Sequence, residues 1–154
     1  MVKIGLIKFK VIKMNLDWQY EQLLITLIAL KSKPKRQREI YGFGHTEDEM
    51  VNDFDSYFTL RRKKLIEYGY IEKSIEEKLL VLDKFITLKS EEENEDFWEE
   101  LETHQDWETI RGMAKEILKE MGKNNLDIEV NHQNEYDAEG NITMQRTESK
   151  IIEK

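Results

Sequence analysis

The sequence predicts a mainly α fold: a single-domain bundle of about five helices with a small N-/C-terminal β-strand pairing or hairpin. Three observations lead there. At 154 residues the chain is long enough for one domain with its own core. Apolar residues recur at helical spacing over most of residues 17–121. The stretch after Gly122 is polar and alternates as strands do around an Asp-Ala-Glu-Gly-Asn turn. A hydrophobic fraction of 39% beside a charged fraction of 36% then describes helices whose outer faces are heavily solvated.

In residues 2–13, Val2, Ile4 and Leu6 alternate with Lys3 and Gly5, and Phe9 and Val11 alternate with Lys8 and Lys10. This predicts a strand with one lysine-rich face, a bulge near Gly5 absorbing the phase slip at Leu6-Ile7. An alternative starts the folded chain at Met14 and leaves the preceding segment peripheral. Asp17 is the expected N-cap of a helix over about 17–31. Trp18, Leu23, Leu24, Leu27, Ile28 and Leu30 make that helix almost apolar all round, hence central. Lys31 to Arg38, with five basic residues and the only proline, Pro34, reads as a loop, and Tyr41-Gly42-Phe43-Gly44 as a turn.

Three hydroxyl-x-x-Glu patterns mark further helix starts, because such pairs satisfy orphan amides reciprocally. Thr46 with Glu49 opens a helix over 46–68, with Met50, Phe54, Tyr57, Phe58 and Leu65 as its stripe. Ser74 with Glu77 opens 74–89, with Ile75, Leu79, Leu82 and Ile86 inward. Ser90 with Glu93 opens 91–103, containing Phe97, Trp98 and Leu101. Asp106 caps 106–121, where Trp107, Ile110, Ala114, Ile117 and Met121 recur at 3, 4, 3 and 4, and Gly122 ends it. Residues 1–123 thus form the helical domain. Residues 124–154 form a hairpin or tail, with strands over 127–136 and 142–147, which either packs on the N-terminal strand or folds only on a partner.

The absence of cysteine excludes disulfides, thiolate metal sites and cysteine nucleophiles, and fits a reducing compartment. No secretory signal pattern opens the chain. The longest apolar run, Leu23 to Leu30 with Thr26 inside it, falls short of the ~20 residues that span a bilayer. The expectation is a cytoplasmic protein without membrane association, of open oligomeric state.

Chemistry-bearing constellations are sparse. His45, Glu49 and Asp53 share i, i+4, i+8 spacing, but His45 precedes the helix and carboxylates are favoured near a helix N-terminus in any case. His104, among Glu99, Glu100, Glu102 and Asp106, reads as a polar linker residue, and His132 has no metal-ligand spacing. Gly42-Phe43-Gly44 lacks the third glycine and the preceding strand of a dinucleotide fingerprint. No catalytic residue, metal or cofactor is expected.

Charge is the sharpest feature. Up to Lys64 there are 13 Lys and Arg against 8 Asp and Glu, a net of +5; from Leu65 onward there are 11 against 24, a net of −13. Carboxylates steer encounter with a basic partner, and embedded tryptophans supply anchors. The chain is therefore expected to be a non-enzymatic acidic inhibitor, of immunity or anti-effector type, that occludes a basic protein. Its contacts would be Glu92, Glu93, Glu95, Asp96, Trp98, Glu99, Glu102, Asp106 and Trp107. The bland alternative turns Trp98 and Trp107 into the core and leaves the carboxylates as solvation.

A second reading is a nucleic-acid-associated accessory factor, of phage or mobile-element type. It would use Lys31, Lys33, Lys35, Arg36 and Arg38, with Arg61, Arg62, Lys63 and Lys64. The turn at Gly69-Tyr70-Ile71 gives a helix-turn-helix layout. Against it, Glu76 and Glu77 would repel phosphate at the start of the second helix, and a net charge of −8 weakens counterion-release binding. A third reading, an enzyme, predicts a cleft joining His45 or His104 to other polar groups.

Overall fold

The structure, a computed structural model, describes residues 2–91 and 95–154. It is mainly α with one β-hairpin. Helix α1 (Val2–Lys31) has 30 residues, roughly 45 Å at the usual rise. From Leu23 to Leu30 every residue is buried, as the all-round apolar pattern predicts. Thr26 is accommodated there because its hydroxyl donates to the Gln22 carbonyl at 2.8 Å.

Residues 2–13 are therefore helical, not a strand, and Asp17 lies inside α1 rather than capping it. The helical face reads Ile12, Leu16, Gln19, Leu23 at steps of 4, 3 and 4, all partly or wholly buried. A strand would need a ladder partner, and the only two strands among the described residues pair with each other. Elongating a formed helix needs one internal hydrogen bond per residue.

Helix α2 (Pro34–Tyr41) replaces the expected basic loop. Pro34 occupies its first turn, where the missing N–H costs nothing and the fixed φ suits the helix. The expected single helix over 46–68 is three pieces: α3 (Thr46–Phe54), a π-helical turn (Asp55–Thr59) and α4 (Arg62–Glu67). The Leu60 N–H reaches back five residues to the Asp55 carbonyl at 3.0 Å. The widened turn keeps Met50, Phe54, Phe58 and Leu65 buried while Leu60 is left exposed.

Helix α5 (Lys73–Glu91) buries Ile75, Leu79, Leu82 and Ile86 as their spacing requires. The expected helix over 91–103 is reduced, among the described residues, to the short α6 (Glu95–Glu99) followed by a turn. Helix α7 (Gln105–Glu120) buries Trp107, Ile110, Ala114 and Ile117. Its cap is His104, whose Nδ1 accepts the Asp106 N–H at 3.1 Å, and not Asp106. The three hydroxyl patterns are not caps either. His45 precedes α3 and Thr46 is buried in its first turn; Ser74 lies within α5; Ser90 is also within α5, its hydroxyl on the Thr87 carbonyl.

Strands β1 (Leu126–Tyr136) and β2 (Ile142–Glu153) pair antiparallel, with Ile128 opposite Ile151. The second strand runs six residues past its expected end at Thr147. Asp137 closes the turn, Oδ1 accepting the Glu139 and Asn141 N–H groups at 2.9 Å each. The hairpin base packs on α1 and α2, not on an N-terminal strand, through buried Leu126 and Ile128.

Candidate functional site

A polar cleft of about 520 Å³ opens where the hairpin crosses the helices. One wall is α1, with Gln22 and Ile25; the floor is Ile40 and Tyr41 at the end of α2; Glu49, Asn52 and Asp53 of α3 form the second wall. Gln145, Thr147 and Ser149 of β2 close it. Steps of two on β2 turn those three side chains to one face, and steps of four on α3 do the same for Glu49 and Asp53.

The strand is held over the helices at Gly42. The adjacent Phe43 N–H donates to Gln145 Oε1 at 2.5 Å, and Gln145 Nε2 donates to Asn134 Oδ1 at 2.7 Å. His132 bridges the Glu39 carbonyl at 2.6 Å and the Thr147 hydroxyl at 2.8 Å. Since a carbonyl only accepts, Nε2 carries the proton. Gly42 sits at φ 70°, and a Cβ there would lie 2.8 Å from His132 Cε1. Only glycine permits both that backbone and that approach.

The cleft is electrostatically uncompensated. Burial pushes the Asp53 carboxyl above its ordinary range, although the Tyr41 hydroxyl, donating to Oδ2 at 2.9 Å, acts the other way. Burial first, and then the neighbouring Asp53 and Asp48, push Glu49 up; His45 offsets part of this. Burial and the Asp53 charge hold the Tyr41 phenol well above its usual value. Among the described residues no Lys or Arg lies within ion-pair reach of Glu49 or Asp53. Nor does any set of three His, Asp or Glu side chains among them converge as metal ligands. What this arrangement can hold is an organic cation: two carboxylates for charge, with amide and hydroxyl groups opposite.

The residues singled out in the sequence fall differently. Glu92 and Glu93 lie outside the described residues, and Glu95 opens α6. Asp96 and Glu99 are exposed on that helix, and Trp98 is half-buried, edge-on to Phe97 at 5.1 Å. Trp107 is fully buried, stacked on Phe97 at 4.7 Å with its Nε1–H donating to the Phe97 carbonyl at 2.5 Å. It is a core residue and presents nothing to a partner. Glu102 is engaged by Arg38, whose Nη2 donates to Oε2 at 3.0 Å and whose Nε donates to Oε1; the bonds hold the Glu102 carboxyl below its usual range. Asp106 lies 4.0 Å from Lys89 and 3.6 Å from His104.

Four of the nine basic residues are similarly occupied. Lys31 donates to the Asn124 and Leu126 carbonyls, and burial lowers its pKa. Arg36 donates to the Ile128 carbonyl and pairs with Glu39 and Asp127. Arg38 adds Glu47 at 3.4 Å to Glu102. Lys33, Lys35, Arg61, Lys63 and Lys64 are exposed, while Arg62 lies 3.9 Å from Glu76.

The cleft escaped the sequence reading because its walls come from four separate elements. Its local signals were the i, i+4 spacing of Glu49 and Asp53, read as ordinary helix-N-terminal acids, and the period-two run Gln145, Thr147, Ser149. Among the described residues no helix is long and apolar enough to cross a membrane. In comparisons with known proteins, no family model, curated protein or solved structure matches this chain.

Proposed function

We propose that this protein is a non-enzymatic binding protein of the inhibitor or immunity type, acting on a basic protein, and that its cleft receives a lysine or arginine side chain of that partner. The observation that carries this reading is the Glu49–Asp53 pair, which faces a cleft with no basic side chain in reach among the described residues. Glu102 and Asp106, by contrast, already have cations beside them. A guanidinium or ammonium seated there relieves the repulsion that burial and proximity impose, and a planar guanidinium also matches carboxylate geometry. Asp96 and Glu99, exposed on α6, and the excess negative charge of the later chain add long-range steering. For the nucleic-acid alternative, Lys31, Arg36 and Arg38 are engaged within the chain, and Lys33, Lys35, Arg61, Lys63 and Lys64 are the exposed residues left to carry it.

The test is affinity capture from the source cells with the wild-type chain and the Glu49→Gln/Asp53→Asn variant as baits. A basic protein retained by the wild type at low salt, released at moderate salt and not retained by the variant supports the reading. Identical capture by both baits, or retention indifferent to salt, overturns it.

A further inference from the structure

The Lys154 N–H donates to the Asn125 carbonyl at 3.0 Å, which sets the phase of the β1–β2 ladder. In an antiparallel pair, residues that exchange hydrogen bonds alternate with residues whose N–H and C=O groups turn outward. Counted along the register from that bond, Leu126, Ile128 and Val130 turn theirs away from β2. Ile151, Ser149, Thr147 and Gln145 turn theirs away from β1. The outer edge of β1 agrees with this phase and is partly taken, since the Leu126 and Ile128 carbonyls accept from Lys31 and Arg36. The outer edge of β2 is not taken. Among the described residues, none of the outward N–H or C=O groups from Gln145 to Ile151 has a hydrogen-bond partner. That stretch also has no proline and no bulge, two of the devices that keep an exposed edge from pairing.

The side chains of Gln145, Thr147 and Ser149 lie on the helix-facing side of the hairpin, where they line the cleft with Glu49 and Asp53. A strand added along this edge would lie about 4.8 Å from β2. Its residues opposite Thr147 and Ser149 would turn their side chains to that same side, toward the cleft, and the residues between would turn theirs away. Two carboxylates there select a cation at the inward positions. A second copy of this chain does not supply one, because its own β2 would turn Gln145, Thr147, Ser149 and Ile151 inward. We infer that the outer edge of β2 takes up an extended segment of the basic partner as a third strand, with lysine or arginine at the alternate positions that face Glu49 and Asp53. Backbone pairing then supplies affinity, and the cleft supplies the choice of sequence. A third strand also steadies a hairpin, which is marginal as an isolated pair. The inference rests on the reading of the cleft as a cation site and adds to it how the partner's chain runs.

The direct test titrates the protein, by calorimetry, with a synthetic peptide that alternates arginine with threonine. Two further forms of the peptide carry N-methyl groups, one on the arginine amides and the other on the threonine amides. Saturable binding is expected, weakened about tenfold or more by methylating one of these alternate sets and little by methylating the other. Glu49→Gln/Asp53→Asn and Ser149→Pro should each weaken it to a similar extent. Ser149→Pro removes an outward N–H and leaves the β1–β2 ladder complete, which an amide NMR spectrum verifies. Equal tolerance of both methylated forms, with binding still lost in Glu49→Gln/Asp53→Asn, overturns the added strand and leaves the cation reading standing. Binding that follows the amides but ignores Glu49→Gln/Asp53→Asn overturns the cation reading, and the basic segment with it. Absence of binding to the unmethylated peptide overturns the inference, and the capture experiment then decides the cation reading separately. A concentration-dependent dimer that Ser149→Pro abolishes assigns the edge to self-pairing and overturns the inference as well.

Discussion

Gln37 and Arg111, 74 positions apart, meet in the core, where Gln37 Oε1 accepts from Nε and Nη2 of Arg111 at 3.2 Å each. The Gln37 amide donates in turn to the Ala29 and Leu30 carbonyls at 3.0 Å, in the last turn of α1, where the Ala29 carbonyl also accepts the Ser32 N–H at 3.1 Å. Arg111 also bonds the Leu101 carbonyl and, at 3.1 Å, Glu108. Burial lowers its pKa, and the Glu108 bond works against that. One buried amide thus joins the end of α1 to α7 and to the turn after α6.

Replacing Gln37 with Leu should therefore cost about 2–4 kcal/mol, because it takes a donor from two carbonyls at the end of α1 and an acceptor from a buried guanidinium together. Urea denaturation checks this. Lys33→Ala, on an exposed neighbour, should change stability by less than about 0.5 kcal/mol.

Gly42→Ala is expected to cost about 1–3 kcal/mol from its left-handed backbone and the approach to His132. The damage should be local. Amide exchange in β1 and β2 should rise more than in α5 or α7, as the hairpin lifts off α2.

Asp53 and Glu49 give the cleft a pH signature. Burial raises both above their ordinary values of 3.8 and 4.5, so the folded chain takes up these protons more readily than the unfolded chain. Their contribution to stability is full below those values and is lost as pH rises through the folded ones. Asp53→Asn should then melt about 2–5 °C higher than the wild type at neutral pH, with the gap closing in acid. Glu102 has the opposite sign. Its Arg38 bonds lower its pKa, so that contribution is present above the ordinary value and is lost as pH falls through the lowered one. Differential scanning fluorimetry across acid to neutral pH separates the two.

The tryptophans should report their different settings. Trp107→Ala should cost about 3–5 kcal/mol for a fully buried ring, while Trp98→Ala, half-buried, should cost about 1 kcal/mol. Acrylamide should quench Trp18 most and Trp107 least.

Periodicity made the buried faces of α1, α5 and α7 legible because a stripe such as Ile75, Leu79, Leu82, Ile86 has one interpretation. Residues 2–13 misled because β-branched residues interleaved with lysine also satisfy an alternating pattern. Among the described residues the two strands pair with each other, a tertiary fact that leaves residues 2–13 no ladder. Pro34 marks a loop and the first turn of a helix equally well, and the local sequence does not distinguish them. Hydroxyl-x-x-Glu patterns recur by chance in a chain this rich in Glu, and Thr46, Ser74 and Ser90 lie inside helices rather than at their N-caps. The acidic segment was visible as composition, but composition does not show that Arg38 answers Glu102 from 64 positions away. The cleft depends on β2 crossing α3, and no local window contains both.

The wide turn at Asp55–Thr59 behaves as a single-residue insertion between two helical segments. The rings of Phe54 and Phe58 stay side by side inside at 5.3 Å. A chain one residue shorter at this place would close as ordinary α-helix with the same aromatic pair inside. Removing one residue within 55–60 is thus expected to disturb the interior less than removing one within α5 or α7.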